Sequence, residues 1–412
     1  MDSSREYKII PTTCVYGGDA LARLPDGRAV FVPYALPDEE LLIHLVEEKE
    51  RFARGEILEI LKPSPLRIQP RCPHFADCGG CHYQHISYEE QLRIKKDIFS
   101  DQLQRVGKLA DPPVKDIVPS PLAWNYRNQI QLHISREGEP GFLKHRSNQV
   151  VPIEECHLPE ENLNQVWPAL NLEYIPGLDR ISLRSGDNGQ DTLIVLESSD
   201  PKPIEFSADL PLSAVHQGPG GEIVLAGDDF TVIPVRDVPF VVSAGAFFQV
   251  NIGVAELIVD FLLEKLPLNE NSLVLDVYCG VGLFSAFIAS RAGRVIGIES
   301  DPKAGEDFMY NLSDFENVDF YDLPAEEVLP HLDLKPDIIL LDPPRAGISK
   351  SVLDNVVSLS PAMIAYISCD PATLARDAGR FQKQGYILQE STPFDMFPQT
   401  FHIESVNIFQ RA

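Results

Sequence analysis

The chain has 412 residues, too many for one ordinary core, so two or three domains are expected. Its apolar share of 44% is that of a globular protein, and no run approaches the ~18 uninterrupted apolar residues of a membrane span. A formal net charge of -26 excludes indiscriminate attraction to phosphate backbones and leaves only local basic patches for a polyanion.

The opening residues, Met1-Asp2-Ser3-Ser4-Arg5-Glu6, lack the apolar segment of a secretory signal. A cytoplasmic location with reduced thiols is therefore expected; a monomer is expected as well. Residues 1–62 carry short alternating runs at 28–32, 41–46 and 55–60. The turn signals Tyr16-Gly17-Gly18-Asp19 and Pro25-Asp26-Gly27 separate them. This spacing predicts a small antiparallel, OB-like β-barrel.

Residues 63–112 begin as a proline-rich linker holding Cys72-x5-Cys78-Gly79-Gly80-Cys81. Cys156 is the candidate fourth thiol of this set. Zinc sites usually pair their cysteines, whereas a tight trio with one remote partner suits a [4Fe-4S] cluster better. Cysteines that simply pack are the third reading. Ser87-Tyr88-Glu89-Glu90 is a capping box, and it predicts a helix running to Gly107. That helix is expected to display Arg93, Lys95 and Lys96. They fall in a basic group with Arg67, Arg71, Arg105 and Lys108; Arg127, Arg136, Lys144 and Arg146 form a second. Such runs are more often solvated faces than binding sites.

Residues 113–240 read as a β-rich central domain, with strands at 129–134, 181–184 and 192–196. Trp124-Asn125-Tyr126-Arg127-Asn128 suits stacking and hydrogen bonding of an unpaired base, or ordinary packing at a strand edge. From residue 241 the pattern changes. A helix is predicted over 254–266, then strands at 273–277, 294–298, 317–321, 337–341, 362–367 and 385–390 with helices between. This alternation predicts a doubly wound α/β domain over 241–412.

The chemistry collects at the expected strand ends of that domain. Asp276-x3-Gly280-x-Gly282 follows an apolar strand, a helix over 283–291 comes next, and the second strand ends in Glu299. A terminal acid there suits a ribose, but Ser285 stands where a dinucleotide fingerprint needs its third glycine. Asp342-Pro343-Pro344-Arg345-x-Gly347 predicts a rigid loop beside the same crevice. Cys369 falls between a strand and a helix that Asp370 caps. The helix dipole favours its thiolate and the Asp370 charge opposes it. Glu404 lies in an alternating strand, as a solvated carboxylate or a general base.

The glycine motif is similar to the first motif of class I S-adenosylmethionine methyltransferases. Together with Asp342-Pro343-Pro344-Arg345, Ser368-Cys369-Asp370-Pro371-x-Thr373-Leu374-Ala375-Arg376-Asp377 and His402-x-Glu404-x-Val406, it resembles the RNA uracil-C5 methyltransferases, of the type acting on 23S ribosomal RNA. The front barrel resembles their TRAM domain. The resemblance implies Cys369 as nucleophile and Glu404 as the base that takes the C5 proton. It implies Gln249, Tyr278, Gly280, Glu299 and Asp342 around S-adenosylmethionine, and Cys72, Cys78, Cys81 and Cys156 around a [4Fe-4S] cluster. RNA is the implied partner, ribosomal first and transfer RNA as the alternative, with the target base flipped or in a loop. Two residues depart from the pattern. Many relatives have asparagine at Asp370, and a polar residue at Leu283. A nitrogen methylase, or an RNA-binding protein with a degenerate transferase domain, would need neither Cys369 nor Glu404.

Overall fold

The computed structural model describes every residue except 1–5, 171–174, 187–190, 201, 203 and 205–211. Six strands form the front sheet: β1 (Glu6–Ile9), β2 (Thr13–Cys14), β3 (Asp19–Arg23), β4 (Ala29–Pro33), β5 (Glu40–Glu48) and β6 (Phe52–Lys62). Alternate residues of β3, β4 and β5 turn inward and build a small apolar core. The sheet departs from the predicted all-antiparallel pattern, because β4 and β6 pair in parallel.

Helix α1 (Tyr88–Arg105) starts where Ser87 Oγ accepts from Glu90 N–H at 3.3 Å. Its Ile94, Ile98, Phe99 and Leu103 are buried in the C-terminal half. A second sheet holds β7 (Gln129–Ile134), β8 (Pro140–Leu143), β9 (Val150–Pro152), β10 (Leu178–Ser185), β11 (Thr192–Ser198), β12 (Ser213–Gly218) and β13 (Gly221–Ala226). The short helix α2 (Glu161–Val166) packs beside it, and the hairpin β14 (Phe230–Val235) and β15 (Val238–Ser243) follows.

Helix α3 (Ile252–Lys265) opens the last unit. Then come β16 (Leu273–Val277), α4 (Leu283–Ala289), β17 (Arg294–Glu299), α5 (Pro302–Asn311), β18 (Val318–Asp322) and α6 (Ala325–Val328). The second half is β19 (Ile338–Leu341), α7 (Lys350–Ser358), β20 (Met363–Ser368), α8 (Pro371–Lys383), β21 (Tyr386–Phe394) and β22 (Glu404–Arg411). The sheet order is β18-β17-β16-β19-β20-β22-β21. The central strands are mainly apolar because both faces are covered, with Asp276 the buried acid of β16. Val274, Val295, Leu340 and Ala365 face one core, and Leu275, Ile296, Ile339 and Ile364 the other.

The chain leaves β16 toward β17 and returns to β19 on its other side. That reversal opens a crevice at the carboxyl ends of these strands. The final strand, β22, inserts antiparallel between β20 and β21. Its beginning therefore lies at the same edge as the end of β20. Helix α4 stops at Ala289, two residues before the predicted end. Among the described residues no helix is long and apolar enough to cross a membrane.

Candidate active site

The register of β20 and β22 pairs Ser368 with Ser405. Cys369 directly follows β20 and Glu404 begins β22, so the two come out at the same sheet edge, near enough for the Glu404 charge to act on the thiol. Cys369 is half-buried and Glu404 is buried. Asp370 caps α8, its Oδ1 accepting from Ala372 N–H at 3.0 Å and Thr373 N–H at 2.9 Å. These N–H groups are therefore engaged by the cap, and burial dominates at the thiol. Burial pushes Cys369 up to about 12; Glu404 and Asp342 add to the effect, Arg345 opposes it, and Asp370 adds again. Burial also holds the Glu404 carboxyl well above its usual range, with Asp342 reinforcing and Arg345 opposing.

At the crevice the backbone turns through Tyr278 (φ 67°), Gly280 (φ 52°) and Gly282 (φ 91°). Tyr278 is the costly one, since a side chain seldom adopts that region. A Cβ on Gly282 would lie 2.3 Å from Leu312, so helix packing requires glycine there. A Cβ on Gly280 would meet nothing within 4 Å; this position faces open space. Gly280 N–H donates to Glu299 Oε2 at 3.0 Å, and Ser300 and Asp301 N–H donate to Oε1 at 2.7 and 2.9 Å.

Asp276 is buried, with Oδ2 accepting from Ser285 Oγ at 2.6 Å and Oδ1 without a partner among the described residues. Ser285, which breaks the dinucleotide fingerprint, thus supports the acid of the motif. Burial raises Asp276 to about 7, with Ser285 opposing and Glu299 adding. Asp342 also rises to about 7, through burial and then the charges of Asp276 and Glu299. Asp276, Glu299, Asp342 and Glu404 make an acidic group with Arg345 as the opposing charge. S-adenosylmethionine, with a sulfonium and net positive charge, fits such a set. It would bring an activated methyl group. Gln249 is buried, and its carbonyl accepts from Asn128 Nδ2 at 3.1 Å. No hydrogen bond among the described residues joins its side chain to the acidic group. Leu283 is buried at the start of α4, a packing role in place of a polar one.

Cys72, Cys78, Cys81 and Cys156 line one cavity of about 210 Å³. Burial is the first cause of the raised pKa at each thiol. Among the described residues, no three or more His, Cys, Asp or Glu side chains are drawn together to hold a metal ion. A single zinc would need four ligands within about 2.3 Å of one point. The four thiols border one space, and thiolates are the donors that an iron–sulfur group takes.

A family model described as tRNA (Uracil-5-)-methyltransferase matches residues 217–412, and a TRAM domain model matches 11–58. An uncharacterized RNA methyltransferase of Streptomyces avermitilis is 33% identical, over 99% of this chain and 98% of its own. One from Aquifex aeolicus is also 33% identical, over 98% and 99% respectively. The chain belongs to the RNA uracil-C5 methyltransferase family. In the solved structures it is similar to the Pyrococcus abyssi tRNA (uracil-54, C5)-methyltransferase in complex with S-adenosyl-L-homocysteine. That likeness has a TM-score of 0.74 and 25% identity, covering 98% of this chain and 100% of that one. The protein is thus an S-adenosylmethionine-dependent methyltransferase with an OB-like TRAM domain in front.

The methyltransferase differs from the sequence expectation in its basic residues. Lys95 is not displayed: it is fully buried against Asp395. Arg93 pairs with Glu90 and Asp97, Lys96 with Asp116, Arg105 with Asp101, Arg67 with Glu39 and Arg146 with Asp19. Tyr126 and Asn128 are buried, and Tyr126 Oη donates to Pro398 O at 3.1 Å. Trp124 is covered by the Arg71 guanidinium, 5.2 Å from its ring centre. The aromatic segment therefore packs around the cysteine cavity instead of standing free for a base. Three contributors were missed from sequence. Lys95 looked like one more surface cation, Tyr16 like part of a turn, and Arg345 was noted only within its motif.

Proposed function

We propose that the enzyme methylates C5 of one uridine in ribosomal RNA through a bond between Cys369 Sγ and C6 of the base. The observation that supports this reading is the β20–β22 register, which ends at Ser368 opposite Ser405 and so brings the neighbouring Cys369 and Glu404 out at one sheet edge, where the Glu404 charge acts on the thiol. Uracil C5 is too weak a nucleophile to take a methyl group unaided. Addition of the Cys369 thiolate to C6 converts the ring to an enolate and loads electron density on C5. S-adenosylmethionine supplies the methyl group that C5 then takes. Glu404, a stronger base for being buried, accepts the C5 proton, and the ring electrons expel the thiolate. Arg345 offsets the crowded carboxylates around both residues. Gln249, Tyr278, Gly280, Glu299 and Asp342 hold the cofactor, with Glu299 on the ribose. Cys72, Cys78, Cys81 and Cys156 hold a [4Fe-4S] cluster, a reading supported by the single cavity they line. The same reading has a monomer working in the cytoplasm.

RNA containing 5-fluorouridine tests the chemistry, because fluorine at C5 blocks the last step. A covalent adduct that survives denaturation is expected, and it is absent from Cys369→Ala. An adduct that persists in that variant, or none in the wild type, refutes the mechanism. Transfer RNA is the second reading, favoured by the substrate in the name of the Pyrococcus abyssi enzyme. Methyl transfer to 23S fragments against transfer RNA transcripts decides between them.

A further inference from the structure

Tyr16 lies in the turn between β2 and β3 of the TRAM domain, yet its polar contact lies outside that domain. Its Oη donates to Asp370 Oδ2 at 3.0 Å. Its ring meets Phe401 edge-on, with centroids 5.5 Å apart and planes at 89°. Asp370 follows Cys369 directly, and Phe401 stands just ahead of Glu404. One side chain of the front domain therefore touches both segments that carry the reaction. The turn is built for this approach, since Gly18 has φ +86° and a Cβ there would press on His82 at 3.0 Å.

The bond matters because of what Asp370 is. Its Oδ1 is committed to capping α8. An asparagine at this position could cap in the same way and turn an NH₂ toward Tyr16. A carboxylate brings no donor and a full negative charge next to the nucleophile. Its second oxygen needs a donor, and Tyr16 supplies one.

We propose that Tyr16 is a positioning residue for methyl transfer: its hydroxyl orients Asp370 and draws off part of the charge that opposes the Cys369 thiolate. This rests on Cys369 being the nucleophile. Glu404, Asp342 and Asp370 face the thiol as acids and Arg345 as the cation. Of these, Tyr16 Oη bonds Asp370. Burial, and then Asp370, keep the Tyr16 phenol protonated well above its ordinary range, so it stays a donor throughout the working pH range. The TRAM domain thereby takes part in tuning the nucleophile as well as in holding RNA.

The test compares full-length Tyr16→Phe, Asp370→Asn and the double variant, with Cys369→Ala as control. Single-turnover methylation and 5-fluorouridine adduct formation are followed from pH 6 to 9, with RNA affinity measured separately. Phenylalanine keeps the ring against Phe401 and removes only the donor. Tyr16→Phe is expected to slow both reactions about three- to tenfold at every pH from 6 to 9, because the whole range lies far below the raised pKa of the thiol, with RNA affinity unchanged. In the Asp370→Asn background the same substitution is expected to cost less than about twofold, since no charge is left uncompensated. An equal loss in both backgrounds, a loss only in RNA affinity, or no loss at all overturns the proposal. Residual methylation by Cys369→Ala would instead remove the nucleophile assignment on which it stands.

Discussion

Lys95 Nζ lies 2.5 Å from Asp395 Oδ1, and both side chains are fully buried. The same ammonium donates to Phe397 O at 3.0 Å. Helix α1, which leaves the cysteine loop, is thus fastened to the segment that runs from β21 to Glu404. Lys95→Met leaves the Asp395 carboxylate buried without its cation. The expected destabilisation is about 3–5 kcal/mol in urea unfolding, as for other broken buried pairs. Lys95→Met/Asp395→Leu should recover most of it. If the single variant unfolds at the wild-type midpoint, the pair does not anchor this loop.

On the proposed mechanism, Glu404→Gln separates the two halves of the reaction. Addition and methyl transfer remain open to it, but the C5 proton has no acceptor. Ordinary uridine RNA is expected to accumulate a denaturation-resistant complex, with turnover lowered at least about a hundredfold. Gel electrophoresis of the incubated variant checks this. Full turnover without a trapped complex would assign the proton to another group.

Burial pushes both Asp276 and Asp342 up to about 7 in the folded protein, against 3.8 for an unperturbed aspartate. The folded state therefore holds protons that the unfolded chain releases between about pH 4 and 7. These two groups make the cofactor-free protein less stable as pH rises through that window, and the loss levels off above it. Relative to wild type, Asp342→Asn should become progressively more stable from pH 5 to pH 7.5. Urea midpoints at matched pH measure it, and a pH-independent difference would contradict the buried-acid assignment. Stabilisation by S-adenosylmethionine should likewise be larger at pH 8 than at pH 5.

The two motif glycines should fail differently. Gly282→Ala places a Cβ against Leu312 and Phe308, so the protein itself should lose about 2 kcal/mol or more. Gly280→Ala meets no protein atom and costs only about 1 kcal/mol of backbone strain. Its methyl group should enter the space left for the cofactor, weakening S-adenosylmethionine binding in calorimetry by at least about tenfold. Equal effects on stability and affinity at both positions would refute the division.

Protein purified without oxygen should be brown and carry about four iron atoms per chain. Cys156→Ser should lose the colour, because its thiol lines the same cavity as Cys72, Cys78 and Cys81. A colourless preparation with one zinc per chain would replace the cluster with a structural ion.

Local signals were legible without coordinates. Apolar runs long enough for buried strands, Ser87 and Asp370 as helix caps, and acids at strand ends are each written within a few neighbouring residues. The resemblance carried by the Cys369 and Asp342 segments covered the family and the cofactor as well. Lys95 shows where local reading fails. A lysine in an amphipathic helix looks solvated unless its distant partner is known, and Asp395 became its partner only when β21 docked.

The amino-acid order by itself determined the strands and the turn glycines and named the candidate reactive side chains, because backbone sterics and burial act over short stretches. Tertiary structure alone decided that Cys369 and Glu404 come out at one sheet edge, that four scattered thiols share one cavity, and that Tyr16 reaches Asp370. Those relationships depend on sheet register and on how separate layers dock, and neither is encoded in any single segment.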